Sequence, residues 1–338
     1  MTLGLIQGRR GAIAGGILLA LGLLLPFVPG VYIVFAIDLV CFALVAVAFD
    51  MLLGFTGLLS FGHALFWGGA GYIATIVISR GVASFPLALA AGVAYALVLS
   101  LLVGMLAVRR SGIFFAMITL AIGEIQFFLA FQLTDWTGGE NGLSIPTRGS
   151  LFGLSLENDL LYYYIVLAFA AFGTALAVRV VTSPFGAVLA AMRENETRAE
   201  SVGYNTERFK LAAFVMSGTL AGLAGALFAI GNRLSGLDGV DWHTSGAIVI
   251  MTILGGIGTI YGPIVGAVVY ESLDFFVSKT PIGDKTNIVM GLIFAVVILV
   301  ARRGIVGEIL HRAYAKRPRL VEDEDRPDVL VAEPGSAL

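Results

Sequence analysis

Apolar segments of about twenty residues recur along almost the whole chain, and they constrain the fold more than any other feature. A helix of roughly 20 residues crosses the bilayer core, whereas the strands of a membrane barrel alternate in segments of about ten. Charged residues make up 13% of the 338 residues, against about 25% in soluble domains. The sequence therefore predicts an all-α integral membrane protein.

Seven apolar runs are simple candidates for membrane spans, and one longer run needs division. The seven lie near 11–29, 31–53, 64–79, 86–108, 112–133, 161–181 and 209–231. As a single helix, 244–278 would measure about 52 Å, against a hydrocarbon core of about 30 Å. It also contains the glycine cluster GGIGTIYGP, which should break a helix. We therefore divide it into 244–256 and 262–278 and add a final span at 286–302, which makes about ten segments including short or broken helices.

The placement of lysine and arginine supports this division, because basic residues concentrate on the cytoplasmic side. With ten crossings and the N-terminus inside, sixteen of the 21 basic residues are cytoplasmic and five are outside. If 244–278 were one span, the counts would become eleven and ten. The prediction is that both termini and the 182–208 loop are cytoplasmic.

The two ends of the chain and its single cysteine add further limits. Arg9 and Arg10 precede the first apolar run, but no small-x-small cleavage site follows, so we interpret this run as a retained first helix. Cys41 has no partner in the chain, which excludes disulfides and cysteine-based metal sites within it. We predict a transmembrane domain over 1–303 and a cytoplasmic, partly disordered tail over 304–338 that begins basic and ends acidic.

A polar, helix-prone insert lies between the sixth and seventh spans. Ser183 and Pro184 are typical of an N-cap and a first helical residue, and Gly203 suits a helix end. The spacing predicts one helix over 184–203, with Glu194 and Arg198 as a pair on its charged face. Its apolar face consists of Phe185, Val188, Leu189, Met192, Ala199 and Val202. One side should rest on the membrane domain while the charged side faces a partner; the alternative is an interfacial helix without a partner.

Three stretches carry a resemblance to a known family. They are RENETRAESVGYNTERFKLAAFVMSGTLAGLAGAL, which begins at Arg193, GFTGLLSFGHALFWGGAGYIA over 54–74, and MTILGGIGTIYGPIVGA over 251–267. In order and spacing they resemble LivM-type permeases, the membrane subunits of branched-chain amino acid ABC importers. The resemblance covers most of the chain.

The resemblance implies a transport subunit rather than an enzyme, in the bacterial inner (cytoplasmic) membrane. The expected partners are a second, LivH-type permease, two cytoplasmic ATPases that bind ATP and Mg, a periplasmic solute-binding protein and membrane lipid, without nucleic acid. The chain itself needs no cofactor or metal and has no catalytic residues. The ATPase-coupling residues implied on the loop are Pro184, Arg193, Glu194, Glu196, Arg198, Ala199, Glu200 and Gly203. The general loop motif of ABC permeases, Glu-Ala-Ala-x-x-x-Gly, agrees here only at Ala199 and Gly203.

Two glycine-rich breaks are candidates for the translocation path, since broken helices are tolerated in membranes where freed backbone groups line a cavity or find neighbours. The candidate residues are Gly54, Thr56, Gly57, Ser60, Gly62, His63, Gly255 and Gly258. The alternative is a tight packed turn in which His63 bonds to the backbone. Of the two explanations for the similar glycine spacing in the two stretches, an internal repeat and close packing at the centre of the domain, close packing is favoured.

Ionisable residues inside spans are a further signal, because they are costly in lipid and often functional. Glu124 is the strongest candidate, either lining a polar path or holding two helices together. Asp38, Asp50, Glu271 and Asp274 are weaker candidates because each can lie near a span end. No G-x-x-x-x-G-K-[ST] phosphate loop occurs, so nucleotide binding belongs to other subunits.

Two other functions stay open at this point. Permeases of this resemblance also serve urea, amides and aromatic acids. The related ribose-type sugar permeases carry Asp-Leu-Ser-x-Gly where this chain has Leu58-Leu59-Ser60-Phe61-Gly62, and the missing acid argues against sugar. An ion-coupled secondary carrier would need no ATPase, but the shortage of paired charges within the spans argues against it.

Overall fold

Helices occupy most of the chain, because a peptide group in lipid has no water to bond and must be satisfied within its own segment. The structure is a computed structural model that describes residues 9–82, 84–151, 153–280, 288–292, 294–295 and 304–308. Its named α-helices are α1 (Arg9–Leu24), α2 (Ile33–Thr56), α3 (His63–Ser79), α4 (Phe85–Ala107), α5 (Ile113–Gln132), the single turn α6 (Thr134–Thr137), α7 (Asp159–Val181), α8 (Pro184–Glu194), α9 (Glu196–Ser201), α10 (Thr206–Asn232), α11 (Trp242–Gly255) and α12 (Tyr261–Ser278). Residues 288–292, 294–295 and 305–308 are also helical.

The helices follow the predicted spans closely. Helices α2, α4, α5, α7 and α10 are long and apolar enough to cross a membrane, while α3, α11 and Ile13–Phe27 are shorter apolar helices. Each of the first nine predicted spans coincides with a helix, and the predicted break within 244–278 is confirmed between α11 and α12. Of the tenth span, 286–302, only residues 288–292 and 294–295 are among the described residues, and the tail beyond residue 308 lies outside them.

The first span is shorter as an α-helix than predicted. The prediction was 11–29, whereas α1 ends at Leu24 and continues only as one 3-10 turn, Leu25–Phe27. Proline lacks the backbone N–H of a regular helix. With Pro26 inside this turn and Pro29 just after it, the regular helix ends early.

The loops gather at two ends of the helix bundle. One, the coupling end, carries 57–62, 108–112, 182–205 and 256–260; the opposite end carries 80–84, 133–158 and 233–241. At the coupling end, Arg193 bonds to the Gly54 carbonyl. At the opposite end, β1 (Leu143–Ser144) pairs antiparallel with β4 (Leu234–Ser235), and the Arg80 guanidinium stacks 3.6 Å over Trp136.

Helix α10 lies at the centre of the bundle against α2, α3 and α4. It and α2 are mostly buried, whereas α4, α5 and α7 bury about a third or less of their apolar windows. The close contact with α3 depends on Gly225, whose absent side chain leaves room for the Trp67 backbone. Small residues allow helices to approach closely in membranes. Three helices therefore present broad apolar faces outward.

The segment between α5 and α7 closes the opposite end. It is built of turns and short strands, including the hairpin of β2 (Ser150–Leu151) and β3 (Leu154–Ser155). Arg148 is buried here and donates from Nε and Nη2 to the Gly231 carbonyl at 3.1 and 2.9 Å. Its Nη1 donates to Asp159 at 2.6 Å. Arg148 thus satisfies a free carbonyl at the end of α10 and attaches this segment to the central helix.

Candidate coupling and translocation site

The chain turns back into the bundle after α2 ends. Gly57 follows α2 with φ +75°, a left-handed conformation that glycine adopts readily. His63, the first residue of α3, lies level with Ala48, since its Nε2 is 2.9 Å from Ser217 Oγ and that hydroxyl donates to the Ala48 carbonyl at 2.5 Å. Ala48 is two turns, or about 12 Å, inside the end of α2. Residues 57–62 therefore form irregular backbone within the depth of the bundle.

Hydroxyl groups satisfy the backbone of this re-entrant segment. Thr119 Oγ1 on α5 accepts from Phe61 N at 3.2 Å, and Ser245 Oγ on α11 accepts from Ala64 N at 2.9 Å. Ser60 Oγ accepts from Gly62 N at 3.2 Å, and Thr56 Oγ1 accepts from Leu58 N at 3.3 Å. In this conformation Thr56 and Ser60 thus stabilise the local turn.

His63 is enclosed by aromatic rings. Because the Ser217 hydroxyl donates to Ala48, its oxygen is left to accept, so His63 Nε2 carries the proton. The imidazole packs edge-on against Phe49 and Phe66, with ring centroids at 4.7 and 5.8 Å. Its Nδ1 is buried and has no hydrogen-bond partner among the described residues. This geometry agrees with the alternative of a tight packed turn better than with a role of His63 in the translocation path. The hydrogen bond of His63 goes to the Ser217 side chain rather than to the backbone.

The second break, 256–260, is held by one buried carboxylate. Asp50 on α2 is fully buried and uses both oxygens: Oδ1 accepts from Gly258 N at 2.6 Å and Oδ2 from Ile260 N at 3.0 Å. Gly258 has φ +76° and Ile260 has φ +57°. A β-branched residue with positive φ is a genuine outlier that persists only where surrounding structure holds it. Asp50 therefore stabilises a strained turn at the start of α12.

The end of α2, just before the first break, lies against the second break. A Cβ added to Gly54 would be 2.7 Å from Gly258 N and 2.8 Å from Gly258 Cα, and it would overlap Asp50 Oδ1. Gly255 is also closely packed, against the Gly262–Pro263 backbone. Gly54 and Gly258 are thus direct neighbours, and close packing explains why both positions are glycine.

The segment over 184–203 is two helices, not the single helix predicted. Asn195 is extended (φ −158°, ψ 101°) and separates α8 from α9. Its side chain accepts from Arg198 N at 2.9 Å, so it caps a new helix, as asparagine commonly does. The predicted i,i+4 geometry of Glu194 and Arg198 on one continuous helix is therefore wrong.

The predicted apolar face is only partly buried. Leu189, Met192 and Ala199 are buried as expected, whereas Val202 is 73% exposed because the interruption at Asn195 changes the helical phase. Pro184 is the first residue of α8, and Gly203 follows α9 with φ +101°. Ser183 occupies the N-cap position, but its hydroxyl donates back to Val180 O at 2.6 Å instead of capping α8.

Several charged residues of this segment bind inward. Arg193 Nη1 donates to the Gly54 carbonyl, and Glu196 forms an ion pair with the buried Lys210 on α10. Glu200 Oε1 accepts from Thr206 Oγ1 at 2.7 Å. The segment is thereby bonded to the end of α2 and to the start of α10.

Two charged side chains of the segment point away from the bundle. Glu194 and Arg198 are exposed. Within the described part of the chain, neither forms a side-chain ion pair. This outer face is available to a partner.

Glu124 lies near the middle of α5 and is exposed on the side of the bundle, between Ile125, which is 59% exposed, and the buried Gly123. Its neighbour Gln126 points inward instead, accepting from Tyr95 Oη at 2.9 Å and donating to the Leu65 carbonyl at 3.0 Å. The helix-bridging role considered for Glu124 is therefore performed by Gln126.

Sequence reasoning underrated Asp50 and did not identify Ser217 or Ser245. The available signal for Asp50 was an acid in an otherwise apolar run, but its partners lie 208 and 210 residues away along the chain. Serine is common in membrane helices, so Ser217 and Ser245 carried no signal of their own.

Comparison with known proteins gives one consistent family. Residues 31–301 match the family model described as branched-chain amino acid transport system / permease component. The chain is similar to the high-affinity branched-chain amino acid transport system permease protein LivM of Escherichia coli (strain K12), with 25% identity over 67% of this chain and 59% of the relative. It is also similar to LivH of the same strain, at 24% identity over 79% of this chain and 91% of that protein.

A third relative is the autoinducer 2 import system permease protein LsrC of Escherichia coli O9:H4, 29% identical over 53% of this chain and 54% of that protein. The chain spans about 59% of the length of the LivM relatives it matches. No solved structure gives a significant match. Because the family model covers most of the chain, and the helices and breaks lie where the shared stretches predict, the chain is a multi-pass membrane protein that belongs to the family of branched-chain amino acid transport system permease components.

Proposed function

We propose that the protein is the membrane-spanning permease subunit of an ATP-binding-cassette importer in the bacterial inner membrane. ATP hydrolysis would occur on separate subunits, and alternating access would move a branched-chain or related amino acid inward. The observation that carries the proposal is the arrangement of α8 and α9. Their inner side is bonded to α2 and α10, while Glu194 and Arg198 face outward. A segment of this kind can transmit movement of a cytoplasmic partner to the spans.

The proposed topology has ten spans within 1–303, with both termini, the 182–208 loop and the 304–338 tail in the cytoplasm. Three features support it: the helices alternate between the two ends, the basic residues are biased to one side, and Gly304 packs against Gly256 at the coupling end. Lys279, just after α12, lies instead at the opposite end, with its Nζ 5.1 Å from the centre of the Tyr32 ring, just before α2 begins. A tenth span over 286–302 would return the chain to the coupling end after Lys279.

Cysteine labelling tests this topology with little background, because the native Cys41 is buried. Ser201→Cys lies in α9 and Ser155→Cys in the hairpin at the opposite end, and both positions are exposed. A membrane-impermeant maleimide added outside spheroplasts should label only Ser155→Cys, and Ser201→Cys should react only after permeabilisation. Labelling of both positions from outside would refute the topology.

The partners in this proposal are a second, LivH-type permease, two ATPases that carry ATP and Mg, and a periplasmic solute-binding protein. A second permease is supported by Glu124, because an ionisable side chain in mid-span almost always faces a protein interior or a water-filled cavity. We place the solute path along this face, between the two permeases. The re-entrant residues from Gly54 to His63 would act by moving with the path rather than by binding solute.

A reconstituted system tests the coupling role directly. The permease pair, the ATPases and the binding protein encoded nearby would be purified together and placed in proteoliposomes. Arg198→Glu should reduce solute-stimulated ATP hydrolysis and uptake several-fold while membrane insertion persists. Arg110→Glu is the matched control, an exposed arginine at the same end but outside α8 and α9. If no ATPase co-purified with the wild type, or if uptake proceeded without ATP, an importer subunit would be the wrong function.

The solute is the finer part of the proposal. Branched-chain amino acids are favoured because the LivM and LivH relatives carry that name. Urea, amides, aromatic acids and sugars are the alternatives, and the LsrC relative is named as a permease protein of an autoinducer 2 import system. Competition of labelled leucine uptake by unlabelled valine, urea and ribose separates these classes, since only valine should compete.

A further inference from the structure

A cluster at the coupling end joins three parts of the chain that are distant in sequence. It consists of Asp50 and Gly54 on α2, Arg193 on α8, and the turn 256–260 between α11 and α12. Arg193 Nη1 bonds to the Gly54 carbonyl and lies beside Gly258, 3.5 Å from where a Cβ on Gly258 would be. The same carboxylate accepts the two backbone bonds from Gly258 and Ile260. The arginine of the coupling segment and the carboxylate of α2 therefore meet at the same turn, the second break.

We infer that Asp50 and Arg193 are positioning residues that make α8, the end of α2 and the turn 256–260 move as one body. The inference rests on the proposed function, because it concerns how movement of the ATPases reaches the spans. It differs from the sequence-based expectation, in which Arg193 belonged to the ATPase-facing surface. Arg193 instead acts between α8 and the membrane domain.

The packing around the cluster leaves little room for independent movement. Gly54 has no side chain, and any Cβ there would collide with Gly258 and Asp50. Gly57 lies against the side chain of Arg193, with an added Cβ 3.2 Å from Arg193 Cγ. Packed interfaces of this kind do not deform continuously, so a displacement of α8 is passed on rather than absorbed.

The turn itself is suited to switching between two states. Ile260 is held at φ +57°, and its N–H is one of the two groups that bond to Asp50. A β-branched residue leaves this conformation readily once the bonds that hold it are released. Movement of α8 that draws Arg193 away from Gly54 and Gly258 would loosen the packing around these bonds and allow α12 to change its angle.

The test compares the ratio of solute transported to ATP hydrolysed in the reconstituted importer. Asp50→Asn keeps the shape but removes the charge, and because its NH2 group cannot accept a hydrogen bond, one of the two backbone bonds is lost and the other is weakened. We expect the ratio to fall about tenfold, from the loss of one charge-assisted contact, while the complex still assembles and hydrolyses ATP. Arg193→Lys should retain much of the ratio and Arg193→Met should lose it, because lysine keeps the charge and a donor.

Matched controls separate this role from loss of folded protein. A purely structural defect would lower transport and hydrolysis together and leave their ratio unchanged. Gly54→Ala should lower the ratio by forcing the cluster apart, whereas Gly16→Ala, with nothing within 4 Å of the added Cβ, should not. The double variant Asp50→Asn with Arg193→Met should have a ratio of solute transported to ATP hydrolysed that is no lower than that of the more damaging single variant.

The outcomes distinguish the inference from the proposed function. If the wild type shows ATP-dependent transport and Asp50→Asn has the same ratio, the inference is wrong and the function stands. If the wild type shows no ATP-dependent transport, the proposed function fails first. A ratio that falls equally in Gly16→Ala and Gly54→Ala would also overturn the inference.

Discussion

The contact between α3 and α10 makes a quantitative prediction for Gly225→Ala. A Cβ at this position would be 2.5 Å from the carbonyl carbon of Trp67 and 2.7 Å from its Cα, and still closer to its oxygen. The obstacle is backbone inside a helix, so no side-chain rotation relieves it, and α3 must move by about 1 Å. Overpacking of this kind costs about 1–3 kcal/mol, and we expect the upper end. The higher helix propensity of alanine returns about 1 kcal/mol, leaving a net destabilisation of about 2 kcal/mol.

Gly246→Ala in α11 is the control, because nothing lies within 4 Å of the added Cβ. There only helix propensity acts, so this variant should be as stable as the wild type or more stable by up to about 1 kcal/mol. Reversible denaturation of the purified permease in lipid-detergent micelles measures both, with the buried Trp67 as a fluorescent reporter. If the two variants had the same free energy of unfolding, the close approach of α3 and α10 would be refuted.

Three further predictions concern single side chains. Glu124→Gln should lower uptake several-fold while changing the free energy of unfolding by less than about 0.5 kcal/mol, as expected for an exposed position; equal uptake by wild type and variant would remove Glu124 from the path. Ser217→Ala removes the acceptor for His63 Nε2, and an unsatisfied buried group costs about 1–3 kcal/mol; His63→Leu added to Ser217→Ala should recover part of this loss in the same denaturation assay, and no recovery would contradict the proposed bond. Lys210→Met breaks the ion pair with Glu196, so trypsin should cleave the segment between α8 and α10 several-fold faster in proteoliposomes, and an unchanged rate would mean that the pair does not hold the segment.

The sequence predicted most of the fold because membrane insertion is governed by local quantities. Backbone groups in lipid must bond within their own segment, so a run of apolar residues indicates a helix wherever it occurs. The glycine cluster after Gly255 predicted the break between α11 and α12 for an equally local reason, the low helix propensity of glycine.

The candidate site was less predictable, because its residues act through partners far along the chain. The sequence pattern of a charged residue in the 182–208 loop is the same whether its side chain faces inward or outward. The sequence therefore assigns Arg193 to the partner surface, although it bonds to Gly54, 139 residues away. The sequence does not predict the interruption at Asn195, because asparagine is compatible with both a helix interior and an N-cap. In the structure Asn195 is an N-cap, and the helix that it caps is bonded to α10 through Glu196 and Glu200.

What the sequence by itself determined is therefore the set of spans, the positions of the two glycine-rich breaks and the membership in a permease family. The tertiary structure alone decided that the end of α2 lies against the second break and that Asp50 stabilises this break. It also decided which charges of the coupling segment remain exposed. The physical reason is that hydropathy and helix propensity belong to each segment, whereas a buried polar group is satisfied only by whichever neighbour the packing of the helices brings within hydrogen-bond distance.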